Sequence, residues 1–97
     1  MADQVDDEFD ARAEAHIHLS NDQLERIPRG KVSASMMYAT ARFNAWLSAK
    51  DVSSGVELDA AKPQLIDYFV DSYRAMLEEN LADYASNFDA YMKSGVN

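Results

Sequence analysis

The chain has 97 residues, 47% of them hydrophobic, with one Trp, five Tyr, four Phe, three Gly and two Pro, which predicts a single core without a covalent staple and a single helical domain over 1–97, frayed at 1–5 and 94–97. The absence of cysteine excludes a disulfide framework, thiolate nucleophiles and thiolate zinc, and fits a reducing cytoplasm. A net charge of −8 argues against general nucleic-acid binding, because affinity for a polyanion comes from counterions displaced by Lys and Arg.

The first ten residues carry Asp3, Asp6, Asp7, Glu8 and Asp10 with no base, unlike the basic start and apolar core of an export signal. No run approaches the roughly 18 apolar residues that a membrane span needs. A soluble cytoplasmic protein with no membrane contact is expected.

Periodicity predicts a first helix over 6–25, with Phe9, Ala13, His16, Ile17 and Leu24 on one stripe. Acids crowd its first turn, where the helix dipole favours them. Ile27, Pro28, Arg29 and Gly30 read as a turn. A second helix follows over 32–49, its apolar face made of Val32, Met36, Ala39, Phe43, Trp46 and Leu47. The other faces hold small residues such as Ser33, Ala34, Ala41 and Ala45, so this is the expected central helix.

Residues 51–59, with Ser53, Ser54 and Gly55, lack period and read as a loop. A third helix should begin between Asp59 and Pro63, where an N-cap and a first-turn proline are available. Apolar residues keep helical spacing from Leu65 to Met92, or about 45 Å of helix. Asn80, Ser86 and Asn87 are the expected points for a break, which would leave a short fourth helix from Tyr84 to Met92. The predicted class is all-α: a small three-helix bundle with a long C-terminal helix, or that helix broken into a short fourth. Phe9, Ile17, Met36, Phe43, Trp46, Ile66, Phe69 and Tyr73 are the expected core.

The run from Arg29 through Trp46, with Asp67, Tyr68, Phe69 and the stretch 73–81, resembles a family of short proteobacterial proteins, domain of unknown function 3144. The resemblance spans about 9–84. It is carried best by Arg29, Gly30, Lys31, Val32, Ser33 and Ala34 together with Ala41, Arg42, Phe43 and Asn44, and the tail beyond Ala85 looks like an addition. It implies a compact helical bacterial protein and brings no activity, cofactor or site residues.

Charge is unevenly spread: residues 26–50 hold Arg26, Arg29, Lys31, Arg42 and Lys50 and no acid, between two acidic segments. A basic binding face and a basic segment packed between acidic neighbours both explain this, and the second is preferred. Arg29, Gly30 and Lys31 before a helix start form a candidate site for a small anion, joined by Arg42 if the fold brings it near. The segment lacks the glycine spacing of a Walker motif, and a solvated turn is the commoner use.

His16 and His18 stand two apart, on diverging sides of a helix, and cannot share a metal. Glu14 with His18, or His18 with Asp22, could do so, but no third ligand is identifiable. His16 is expected as a core histidine, and no metal or cofactor is assigned. Glu78, Glu79 and Asp83 are faintly similar to the acidic helices of all-α nucleotide pyrophosphohydrolases, but the second acidic motif is missing and a solvated face explains them. Met36, Met37, Tyr38 and Trp46 could line a pocket, though core filling is preferred.

No catalytic residue emerges. The favoured reading is a non-enzymatic interaction or assembly protein, acting on an unassigned protein partner or as a homodimer or other homo-oligomer, and the alternative is an anion binder at the 29–31 turn. Leu81, Tyr84, Phe88, Tyr91 and Met92 are the expected interface, because the third helix outlasts the two shorter ones that could cover it.

Overall fold

A computed structural model describes residues 5–93; of the ends expected to fray, 1–5 and 94–97, all but Val5 lie outside the described residues. The class is all-α, with helices α1 (Phe9–Leu24), α2 (Arg29–Ala49), α3 (Gly55–Ser86) and α4 (Phe88–Met92). Contacts group the chain into two units, residues 1–47 and 48–97. The first contains α1 and most of α2, and the second contains the end of α2 with α3 and α4.

In the first unit, Asp6 prepares the start of α1. Its carboxylate accepts from the Glu8 amide at 3.0 Å and pairs with Arg12 at 3.1 Å, and its carbonyl accepts from the Phe9 amide. The Arg12 hydrogen bond, then the Glu8 amide, hold the Asp6 carboxyl below the usual aspartate value. The helix ends before Pro28, as proline geometry requires. Arg29, Gly30 and Lys31, expected as a turn, instead form the first turn of α2, where the Pro28 carbonyl accepts from the Lys31 and Val32 amides. Proline just before a helix costs no hydrogen bond, because the first amides have no intrahelical acceptor.

In the second unit, α3 starts earlier than expected. Ser54 Oγ accepts from the Glu57 amide at 3.1 Å, and Glu57 Oε2 accepts from the Ser53 amide at 3.1 Å. This reciprocal cap starts the helix at Gly55 and leaves only residues 51–54 outside it. Pro63 therefore lies inside α3, where it offers no amide to the Asp59 carbonyl one turn back.

The break near the far end falls at Asn87, one of the expected points. Asn87 leaves helical geometry at φ −118° and ψ 28°. Its Nδ2 donates to the Asp83 carboxylate at 2.9 Å and to the Asp83 carbonyl at 3.2 Å, which ties the kink to the preceding turn.

The expected core is not enclosed. Val32 is buried at 5% exposure, whereas Trp46 is 55% exposed, Phe43 60% and Ile66 54%. Ile17, Met36 and Tyr73 are exposed too, and Phe9 and Phe69 are half-buried. The helices form regardless, because their hydrogen bonds are local and their interiors, Pro63 apart, contain few breakers. Within the second unit α3 packs against α4, and a helix of five residues is too short to surround a large side chain.

Candidate functional site

On α3 the shielded positions form one stripe: Leu58, Ala61, Leu65, Phe69 and Ser72 are half-buried at three- and four-residue steps. It stops at Ser72. From 73 to 90 every residue is exposed, although apolar side chains continue at helical spacing through Tyr73, Leu77, Tyr84 and Phe88. Leu81 is 60% exposed, Phe88 56% and Met92 54%, with Tyr84 less so.

Tyr91 is the half-buried member of this end. Its hydroxyl donates to the Asp83 carboxylate, 3.2 Å from each oxygen, and its ring packs on Tyr84 with centroids 4.8 Å apart. The hydrogen bond to Asp83, followed by that carboxylate's charge, raises the Tyr91 phenol above its ordinary value. Asp83 thus holds Asn87 and Tyr91 together and sets the direction of α4. An open notch of ≈ 340 Å³ lies along residues 85–90 at the kink.

This geometry leaves an apolar ridge from Tyr73 to Met92 with α4 held by its own side chains. Of the five expected interface residues, Leu81, Tyr84, Phe88 and Met92 lie exposed at this end, and Tyr91 is partly occupied by Asp83 and Tyr84. Sequence reasoning missed the Asp83, Asn87 and Tyr91 cluster. Its signal was an Asp with Asn four residues and Tyr eight residues later, straddling a position able to leave the helix.

The candidate anion site is not brought together by α2. Arg29 and Lys31 are two residues apart on one helix and diverge around its axis. Arg42 lies farther along the same helix, about 20 Å away at 1.5 Å per residue. The three are exposed, and within the first unit they form no ion pair among the described residues. Arg42 therefore cannot complete a site with Arg29 on this helix.

His16, expected in the core, is exposed, because the α1 positions shielded after Phe9 are Ser20 and Asn21 rather than the apolar stripe. Among the described residues, no group of three His, Asp or Glu side chains could hold a metal ion. Glu78 and Glu79 are exposed, and Asp83 is engaged by Asn87 and Tyr91.

The molecule is thus an all-α protein whose most distinctive surface is an uncovered apolar helix end. The family model described as "Protein of unknown function (DUF3144)" matches residues 9–85, and the chain belongs to that family. It is similar to a protein from Shewanella sp., NB7890A, solved by NMR: the two are 39% identical, the match covers 94% of this chain and 97% of that one, and the TM-score is 0.77. No curated protein matches the chain. The family match ends at residue 85, so the kink and α4 lie beyond it. No helix among the described residues is long and apolar enough to cross a membrane.

Proposed function

We propose that the protein is a non-enzymatic assembly protein of the bacterial cytoplasm that associates with a second copy of itself through the end of α3 and α4. The observation that carries this reading is the shielded stripe ending at Ser72 while apolar spacing continues to Met92 with Leu81, Phe88 and Met92 more than half exposed. Contiguous apolar surface of this kind is uncommon on a stable monomer, and a two-fold contact between identical chains is the commonest way to bury it. The tied α4 favours the same reading, since a preset ridge loses less entropy on docking than a free tail.

Light scattering after size exclusion tests it. The full chain at micromolar concentration should have the mass of a dimer or larger, and Leu81→Glu with Phe88→Glu should give a monomer with unchanged helical circular dichroism. Central interface side chains are worth about 2 kcal/mol or more each, or about thirtyfold in affinity, so the double variant should stay monomeric well above the wild-type midpoint. A monomeric full chain, or a double variant as associated as wild type, would remove the proposal.

A further inference from the structure

We infer that, in this self-association, the basic helix α2 of one copy docks on the acidic helix α3 of the other, twice in a reciprocal two-fold arrangement. This rests on the assembly reading above and adds which surfaces meet. The first observation is that α2 is uncovered on its apolar face. Met36, Phe43, Trp46 and Leu47 recur at seven-, three- and four-residue steps and are all exposed. Such a face needs an apolar helix as its cover.

The second observation selects which helix. Within its limits α2 carries three bases, Arg29, Lys31 and Arg42, and no acid, whereas α3 carries seven acids and two bases. The helix charges are therefore +3 and −5. Helices pack with axes about 8–10 Å apart, which is no more than the Debye length of about 10 Å at 0.1 M salt, so these charges act on each other across an interface. Pairing α3 with α3 sets −5 against −5, and pairing α2 with α2 sets +3 against +3. Of these pairings, α2 with α3 brings opposite signs together, and it does so more strongly than α2 with α1, which carries three acids and one base for a net −2.

The third observation is that the three cations are available, being exposed and forming no ion pair within the first unit among the described residues. A contact of α2 with the partner's α3 creates, by symmetry, a second contact of α3 with the partner's α2. The interface is then isologous and closes at the dimer. Apolar rows supply the affinity, and the charges select the pairing.

Two charge-reversed chains test the pairing. One carries Arg29→Glu, Lys31→Glu and Arg42→Glu, and the other Asp67→Lys, Asp71→Lys, Glu78→Lys and Glu79→Lys. Each alone should associate at least about tenfold more weakly than wild type, because like charges then face each other in both contacts. An equimolar mixture should recover the dimer mass, since both contacts regain opposite signs. A first variant that dimerises like wild type, or a mixture that stays monomeric, would overturn the inference while leaving self-association standing. A monomeric wild type would instead overturn self-association itself.

Should a reversed chain lose its helical signal, cross-linking gives the answer, because the chain has no cysteine of its own. A Thr40→Cys chain mixed with an Asn80→Cys chain and a short bismaleimide should yield covalent heterodimers. Cross-links confined to Asn80→Cys pairs would mean that α3 meets α3.

Discussion

The two halves of α3 are helical to the same degree and shielded to very different degrees. In residues 55–72 a stripe from Leu58 to Ser72 is half-buried and the start is fixed by a reciprocal cap, whereas in 73–86 no side chain is shielded. Helix formation and burial are therefore separable in this chain. Local hydrogen bonds and good helix formers such as Met76, Leu77, Glu78, Glu79 and Leu81 carry the second half, and its exposed apolar spacing is what the proposed self-association rests on.

The sharpest way to break this comparison is a matched pair of truncations. Leu65→Ala should lower the unfolding free energy by about 2 kcal/mol, the low end for a core leucine, because Leu65 is half-buried. Leu81→Ala should cost less than about 0.5 kcal/mol in dilute protein while weakening self-association. Equal losses in denaturant melts of dilute samples would show that the halves do not differ. Next in size, Pro63→Ala should stabilise α3 by about 1–3 kcal/mol by restoring an amide for the Asp59 carbonyl, and a lower melting temperature would show that the proline is needed where it is.

Smaller effects sharpen the two ends. Ser54→Ala removes the acceptor for the Glu57 amide and should cost about 1 kcal/mol, read as a lower melting temperature with fraying confined to the first turn. At the other end, the Tyr91 phenol is raised above 10.0, so the native state holds its proton more tightly than the unfolded chain. That contribution is complete below the unfolded tyrosine value near 10 and is lost as pH rises through the folded value. Amide shifts of residues 88–92 should therefore move at strongly alkaline pH, and Asp83→Asn should bring the Tyr91 titration closer to that of free tyrosine.

The helices were legible because their signals are local. Pro28 bounded α1, and the step pattern from Leu65 onward marked the long helix and placed its break among three residues that included Asn87. The start of α3 lies ahead of the expected 59–63 for an equally local reason: Pro63 suits a first turn, but the reciprocal cap of Ser54 and Glu57 starts the helix at Gly55. What could not be read was burial. A stripe states which side chains want cover, and the sequence alone does not say whether this chain or another supplies it, so Trp46 and Phe43 were expected inside and lie exposed. Arg42 stands apart from the candidate anion site at 29–31, since residues thirteen positions apart on one helix do not converge.

The central claim, that the uncovered faces are covered by a second copy, is tested most directly by melting the full chain at a series of concentrations and following helicity. Association that favours the folded chain makes the midpoint depend on concentration. The melting temperature should rise steadily over a hundredfold increase in protein, and the Leu81→Glu, Phe88→Glu chain should show a flat, lower value. A wild-type midpoint that does not move over that range, with a monomer's mass throughout, would contradict the account.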